Sequence, residues 1–355
     1  TPQTRKPVIG QTETIDPLIV ALLAGAHVLL EGPPGTAKTL LARAFSASLA
    51  LDFGRIQFTP DLMPGDALGT NIYDFQTGKF VLTKGPVFTE ILLADEINRA
   101  PPKTQAALLQ VMNERTVTID GAAYHMGDNF MTIATQNPLE HQGTYPLPEA
   151  QLDRFLFKVL VDFPAEDDEV QILLSHGQRS QMTSFDALGI EAVVPAERLT
   201  ALRESLRSVL IQEDVAEYVI KLIRATREDP SLSYGASTRS ATALVQAARV
   251  WAAFDGRDFV LPDDIKHLLI PSLRHRAMLS PTAEIEGRTT DEVLDSILAA
   301  VRAYHRGGAL EVNKRVERLS RLANKRSLFD DPAAEIGQTS AVLKQEMSTI
   351  GASIA

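Results

Sequence analysis

Gly32-Pro33-Pro34-Gly35-Thr36-Ala37-Lys38-Thr39 is the stretch whose reading decides the fold. An apolar run, His27-Val28-Leu29-Leu30, leads into it, and a helical pattern, Leu40-Leu41-Ala42-Arg43-Ala44-Phe45, leads out. Strand, glycine loop, Lys-Thr and helix in this order make a phosphate-binding loop. Backbone N–H groups of a tight loop, with the positive end of the following helix, can wrap a polyphosphate. The candidate nucleotide contacts are therefore Gly32, Gly35, Thr36, Ala37, Lys38, Thr39 and Leu40. Lys38 would reach the outer phosphates and the Thr39 hydroxyl would hold Mg²⁺. The residue before the lysine is usually Gly in such loops; Ala37 replaces it and restricts positive φ there. The competing reading is a strand–turn–helix that happens to be glycine-rich.

Composition narrows the class. A chain of 355 residues has room for two or more domains and a large core. With 45% hydrophobic and 23% charged residues it reads as a globular protein. The absence of cysteine excludes disulfides, thiolate metal sites and cysteine nucleophiles. No apolar run approaches the roughly 20 residues of a membrane span. Thr1-Pro2-Gln3-Thr4-Arg5-Lys6 lacks the apolar core of a signal peptide, so the expectation is a cytoplasmic protein. A net charge of −10 gives no global pull toward nucleic acid.

Outward from the loop, a helix is expected from Glu13 to Ala24, with Ile15, Leu18, Ile19, Leu22 and Leu23 at helical spacing. Arg55-Ile56-Gln57-Phe58 reads as a short strand. Between Asp61 and Phe88, two short runs around Thr77-Gly78 predict a β-hairpin insertion rather than a crossover helix. A second chemical stretch follows, Ile91-Leu92-Leu93-Ala94-Asp95-Glu96. An apolar run ending in two acids is a buried parallel strand delivering carboxylates to the C-terminal edge of a sheet. Asp95 would join the Mg²⁺ shell, and Glu96 would polarise the attacking water. Most such pairs in isolation are strand ends meeting solvent; the loop upstream gives this one its meaning.

A helix from Lys103 to Glu114 is expected to turn Ala106, Leu109 and Met112 inward, and Thr116 to Met126 reads as a second hairpin around Asp120-Gly121. Phe130 to Thr135 is another buried strand, ending at Gln136-Asn137-Pro138. A short helix through Leu152-Asp153-Arg154 precedes a last strand, Phe155 to Val161. After Pro164 the pattern becomes helical, with helices about 166–176, 196–209, 213–228, 238–254, 262–276 and 290–304. This order argues for an α/β domain over 1–164, a connector over 165–195, a helical lid over 196–305 and an extension over 306–355. In the extension, Lys314, Arg315, Arg318, Arg321, Lys325 and Arg326 crowd one helix, as a solvated face or a contact for a polyanion or partner.

The motifs, taken in order, resemble the MoxR family of AAA+ ATPases, relatives of the magnesium chelatase ATPase subunits that carry a helix-2 insert. The resemblance rests on Val8-Ile9-Gly10-Gln11, Ala21-Leu22-Leu23-Ala24-Gly25, Gly32 to Thr39, and Asp95-Glu96-Ile97-Asn98-Arg99-Ala100-Pro101-Pro102-Lys103. It continues through Gln136-Asn137-Pro138, Pro148 to Phe155, and Gly235-Ala236-Ser237-Thr238-Arg239, and covers roughly residues 8–305. Alanine at position 37 is common in that family. The resemblance implies a five-stranded parallel sheet flanked by helices, with β-hairpin insertions, followed by an all-helical lid domain. It implies ATP and Mg²⁺ as cofactors, a hexameric ring, a protein client and a partner with a von Willebrand factor A domain, in chaperone-like maturation or remodelling.

It also assigns roles. Asn137 matches sensor 1, orienting water beside the γ-phosphate; Asn at a strand end also caps turns. Arg154 matches the arginine finger that enters a neighbour's site; a surface pair with Asp153 is the alternative. Arg239 matches sensor 2, which links the lid to the γ-phosphate, against a structural salt bridge. Val8 and Ile9 would flank the adenine, or simply pack in the core. Gln57 matches a residue that restrains the catalytic glutamate, and Asn98 and Arg99 would tune the water or touch a neighbour. Phe75 and Lys79 lie at the first hairpin tip, facing a pore or only solvent. Two other functions compete: a nucleic-acid motor or initiator, and a nucleotide-gated scaffold with little turnover. The complete set Lys38, Thr39, Asp95, Glu96, Asn137, Arg154 and Arg239 argues against a dead site.

Overall fold

The computed structural model describes residues 12–138, 143–176 and 196–301. Val8, Ile9, most of the connector and the basic segment from Lys314 to Arg326 lie outside them. The chain divides into two compact units at Thr200/Ala201.

The first unit opens with α1 (Thr12–Leu23), β1 (His27–Glu31), α2 (Lys38–Ala47) and β2 (Phe53–Gln57). Then come α3 (Pro64–Leu68), β3 (Gly69–Asp74), β4 (Lys79–Lys84) and β5 (Ile91–Asp95). A 3₁₀ turn (Ile97–Arg99), α4 (Pro102–Glu114), β6 (Thr116–Ile119), β7 (Ala122–His125) and β8 (Met131–Gln136) follow. The unit closes with α5 (Glu149–Leu152), β9 (Phe155–Leu160) and α6 (Glu166–His176). The main sheet has five strands in the order β2-β5-β8-β1-β9, all parallel. Every residue of β5, and all of β1 except Glu31, is buried, as the unbroken apolar runs require of strands covered on both faces.

Register positions the chemistry. Gln57 stands opposite Asp95, Ala94 opposite Ala134, and Leu30 opposite Thr135. The C-terminal ends of β1, β2, β5 and β8 therefore finish on one edge of the sheet, where ligands of open α/β sheets bind.

Both expected hairpins are present. β3 and β4 pair antiparallel from Gly69↔Lys84 to Asp74↔Lys79, behind the short helix α3. The Asp74 carboxylate accepts from the Gln76 N–H (2.8 Å) and the Thr77 hydroxyl (2.7 Å), which closes the turn. β6 and β7 pair around Asp120-Gly121, both at positive φ.

Helix α4 corrects one expectation. Ala106 faces solvent, and Thr104, Gln105, Leu108, Leu109, Val111 and Met112 are buried. The reason is polar: Gln105 Nε2 donates to Ile97 O (3.2 Å) and Tyr145 O (2.9 Å), and the Thr104 hydroxyl donates to Leu62 O (2.7 Å). Two polar side chains lie on the apolar face of the helix and satisfy loop carbonyls there.

Past the connector run α7 (Ala196–Leu206), α8 (Glu213–Glu228), β10 (Leu232–Tyr234), α9 (Thr238–Phe254) and α10 (Pro262–Leu273). β11 (Met278–Leu279), α11 (Pro281–Ile285) and α12 (Thr290–Ala300) complete this part. α7 stops three residues before its expected end, because Arg207, Ser208 and Val209 close i→i−3 bonds instead of helical ones. The helical region also carries a small antiparallel ribbon, β10 with β11. Strands of three and two residues are too short to show a period in the sequence. Among the described residues, no helix is long and apolar enough to cross a membrane.

Candidate active site

The loop after β1 is shaped by what its backbone must do. Gly32 donates its N–H to Gln136 O (3.2 Å), and a Cβ there would stand 2.0 Å from Val161 O, so only glycine fits between the strands. Gly35 takes φ +86°. Ala37 adopts φ 60°, ψ 20°, so the left-handed turn forms despite the side chain, at a cost of about 1–2 kcal/mol. Ala37 caps α2, with Lys38, Thr39 and Leu40 as its first residues. No acidic side chain of α2 itself occupies that first turn to offset the positive end of the helix.

Thr36 is buried and donates its hydroxyl to Pro33 O (3.0 Å). Lys38 Nζ donates to Gly32 O (2.8 Å), Pro33 O (2.7 Å) and the Thr36 hydroxyl (3.2 Å). Burial holds the Lys38 ammonium below its ordinary pKa, and the carboxylates of Asp95 and Glu96 pull it the other way.

Asp95, buried at the end of β5, is the hub. Its Oδ2 accepts from the Thr39 hydroxyl (3.1 Å), which joins the loop to the acid strand across 56 residues. Its Oδ1 accepts from the Thr135 hydroxyl (2.7 Å), and Thr135 Oγ1 in turn accepts the Glu96 N–H (2.9 Å). Nothing local in the sequence marks Thr135, one of two buried threonines in β8. Glu96 has φ 58°, ψ 49°, a left-handed conformation sparsely populated outside glycine and often kept at working sites. Its Oε2 accepts from Gln57 Nε2 (2.8 Å) and pairs with Arg99 Nη1 (3.3 Å).

Arg55, also missed in the sequence, bonds Asp95 Oδ2 through Nη2 (2.7 Å) and Nε (3.2 Å) and bonds Gln57 Oε1. Asn98 is buried; its Nδ2 donates to Asn137 O (3.3 Å), its own carbonyl accepts from Tyr145 N–H (2.6 Å), and its Oδ1 has no hydrogen-bond partner. Asn137 is half-buried just past β8, on the same sheet edge.

The remaining candidates are carried by other elements. Arg154, two residues beyond α5, donates Nη1 to Leu109 O (2.9 Å) on α4, and its buried Nε has no partner. Arg239 is in the second unit, exposed in the first turn of α9, whose cap Ser237 accepts from Ser240 N–H (3.1 Å). Phe75 is 90% exposed at the β3–β4 tip beside Lys79, with Tyr73 edge-on to both Phe75 and Phe80.

A magnesium nucleotide fits this chemistry. Thr39 and Asp95 bring two hard oxygens together, and Mg²⁺ characteristically takes one or two protein oxygens and completes its octahedron with phosphates and water. No cluster of three or more His, Cys, Asp or Glu side chains able to hold a metal alone exists among the described residues.

Residues 27–157 match the ATPase family associated with various cellular activities (AAA), and residues 224–297 match the AAA lid domain. An uncharacterized Bacillus subtilis protein, YeaC, is 42% identical over 83% of this chain and 91% of its own. Chaperone MoxR1 of Mycobacterium tuberculosis is 39% identical over 84% of this chain and 80% of its own. A crystal structure from Cytophaga hutchinsonii, described as a candidate ATPase, superposes with a TM-score of 0.77 at 40% identity, covering 84% of this chain and 92% of that one. With the loop, the acid strand and the lid in family order, this chain belongs to the MoxR family of AAA ATPases.

Proposed function

We propose that this MoxR-type ATPase is Mg²⁺-dependent, assembles as a hexameric ring and uses ATP hydrolysis to remodel or mature a protein complex, with a von Willebrand factor A domain protein as partner. The observation that carries the reading is the convergence of Thr39 and the buried Asp95 at 3.1 Å, with Glu96 held in a left-handed conformation beside them. Residues 1–164 form the nucleotide-binding core, 165–195 a connector, 196–305 the lid and 306–355 an extension.

The chain's residues divide the work. The loop N–H groups from Gly35 to Leu40 and the Lys38 ammonium bind the phosphates, with Gly32 fixing where the loop leaves the sheet; Lys38 trades its three loop contacts for them. Val8 and Ile9 flank the adenine. Thr39 and Asp95 would hold the cation, which would supply charge neutralisation to the phosphates when bound. Glu96 accepts a proton from the attacking water, and Asn137 orients that water. Arg154 of one subunit stabilises the transition-state charge in the next, across a heterologous interface that closes by rotation. Arg239 couples the lid to the γ-phosphate. Phe75 and Lys79 present the hairpin tip to the client.

The test is the ATPase rate per subunit against protein concentration, with mass measured on the same samples, for wild type and Glu96→Gln. The expected result is a rate that rises as hexamers form and disappears in the variant, which keeps nucleotide binding. A concentration-independent rate from a monomer would remove the ring and the shared site. Tight, salt-dependent DNA binding would instead favour a nucleic-acid motor.

A further inference from the structure

The corner where Asp95 meets Thr39 already has a cation. Arg55 places two nitrogens on Asp95 Oδ2, the same oxygen that accepts the Thr39 hydroxyl at 3.1 Å. The guanidinium does not end there. Its Nη2 also bonds Gln57 Oε1, and Gln57 Nε2 bonds Glu96 Oε2 at 2.8 Å. Arg55 and Gln57 are two apart on β2, so strand geometry puts both on one face, and register sets Gln57 opposite Asp95. An unbroken chain therefore runs from the cation oxygen to the glutamate that faces the water.

One carboxylate oxygen cannot serve a forked guanidinium and the strict octahedral shell of Mg²⁺ together. Arg55 is the group able to yield. Its side chain is 45% exposed, against 9% for Asp95, so it can swing into water and recover hydration, and Asp95 cannot.

We propose that Arg55 is a positioning residue that occupies the Asp95–Thr39 corner and holds Glu96 through Gln57. When a divalent cation takes the corner with its nucleotide, Arg55 lets go, Gln57 loses its anchor and its hold on Glu96 Oε2 slackens, leaving Arg99 Nη1 (3.3 Å) as the remaining partner of that oxygen. Seating of the cation thereby gates the base. This inference rests on the Mg²⁺-ATP reading of the site and adds the regulation of that site.

The test uses the full chain and a fluorescent ATP analogue, with binding followed at a series of magnesium concentrations in wild type, Arg55→Met and Arg55→Lys. Removing the competing cation should lower the half-saturating magnesium of Arg55→Met roughly three- to tenfold. Arg55→Lys, which keeps a charge, should stay nearer wild type. Magnesium alone should raise the melting temperature of Arg55→Met more than that of wild type, since Asp95 there lacks its partner. Superimposable magnesium curves for wild type and Arg55→Met overturn the proposal, as does Arg55→Lys shifting as far as Arg55→Met. Nucleotide binding by wild type that ignores magnesium overturns the Mg²⁺ reading itself, and this inference with it. Should Arg55→Met lose the fold, Arg55→Gln carries the same comparison.

Discussion

Thr135 shows how much a single buried hydroxyl can hold. It donates to Asp95 Oδ1 and accepts the Glu96 N–H, so one atom fixes both acids of the strand end. Thr135→Val keeps shape and β-propensity but strands a buried carboxylate oxygen and a backbone N–H. The expected cost is about 1–3 kcal/mol in urea unfolding, together with a fall in ATPase rate as Glu96 loses its left-handed seat. Unchanged stability and rate would show that water replaces the hydroxyl fully. The chemistry-bearing residue types Lys38, Thr39, Asp95 and Glu96 were readable in the sequence, because each sits beside a strong local signal: glycines, or an apolar run that stops. Thr135 and Arg55 were not, because their partners stand 40 residues away and only strand pairing brings them within reach.

His27 does comparable work between elements. At the start of β1, its Nε2 hydrogen-bonds Met112 O (3.0 Å) at the end of α4, and its Nδ1 accepts Thr132 N–H (2.9 Å) from β8. The ring is therefore neutral, with its proton on Nε2. Full burial lowers its pKa from 6.5 to about 4, the Met112 carbonyl opposing this and the Arg115 charge adding to it. The unfolded chain takes up a proton near pH 6.5 and the folded chain only near 4, so stability is level above pH 7 and falls as pH drops through that window. Between pH 7 and pH 5 the loss should be about 2 kcal/mol, read by urea unfolding. His27→Asn should be less stable throughout and lose this part of the slope. A wild-type slope retained in His27→Asn would assign the pH dependence elsewhere. A period that runs over several turns fixes an element, as in α8, whose bounds Glu213–Glu228 match the expectation. The sequence misleads where polar side chains are buried to satisfy loops, as at Gln105, or where a strand is two residues long, as at β11.

Across the molecule, the ring reading turns on Arg154. In the single chain its Nη1 is bound to Leu109 O, an anchor that sets its direction without using the whole fork. Arg154→Ala should leave nucleotide affinity within about threefold of wild type and lower turnover by about 10³-fold or more, the range seen when an arginine finger is lost. Mixing it with Glu96→Gln should restore some turnover, because subunits with an intact Glu96 then meet neighbours with an intact Arg154. No restoration in mixed assemblies, with mixing verified by mass, would place Arg154 within its own subunit's fold.

The buried strands alternating with helices, the two hairpins, the helical region and the loop for polyphosphate follow from local rules, whereas the count of five parallel strands comes from the family resemblance. A buried parallel strand must be continuously apolar, a tight loop needs glycine, and an amphipathic helix repeats every 3.6 residues, so each leaves its mark within a short window. The wiring of the site does not. That Arg55 rests on Asp95, that Gln57 holds Glu96 and that Thr135 clamps both acids are consequences of the order β2-β5-β8 and its register. A hydrogen bond between strands depends on which residues come to lie opposite one another, and that is settled only when the sheet assembles.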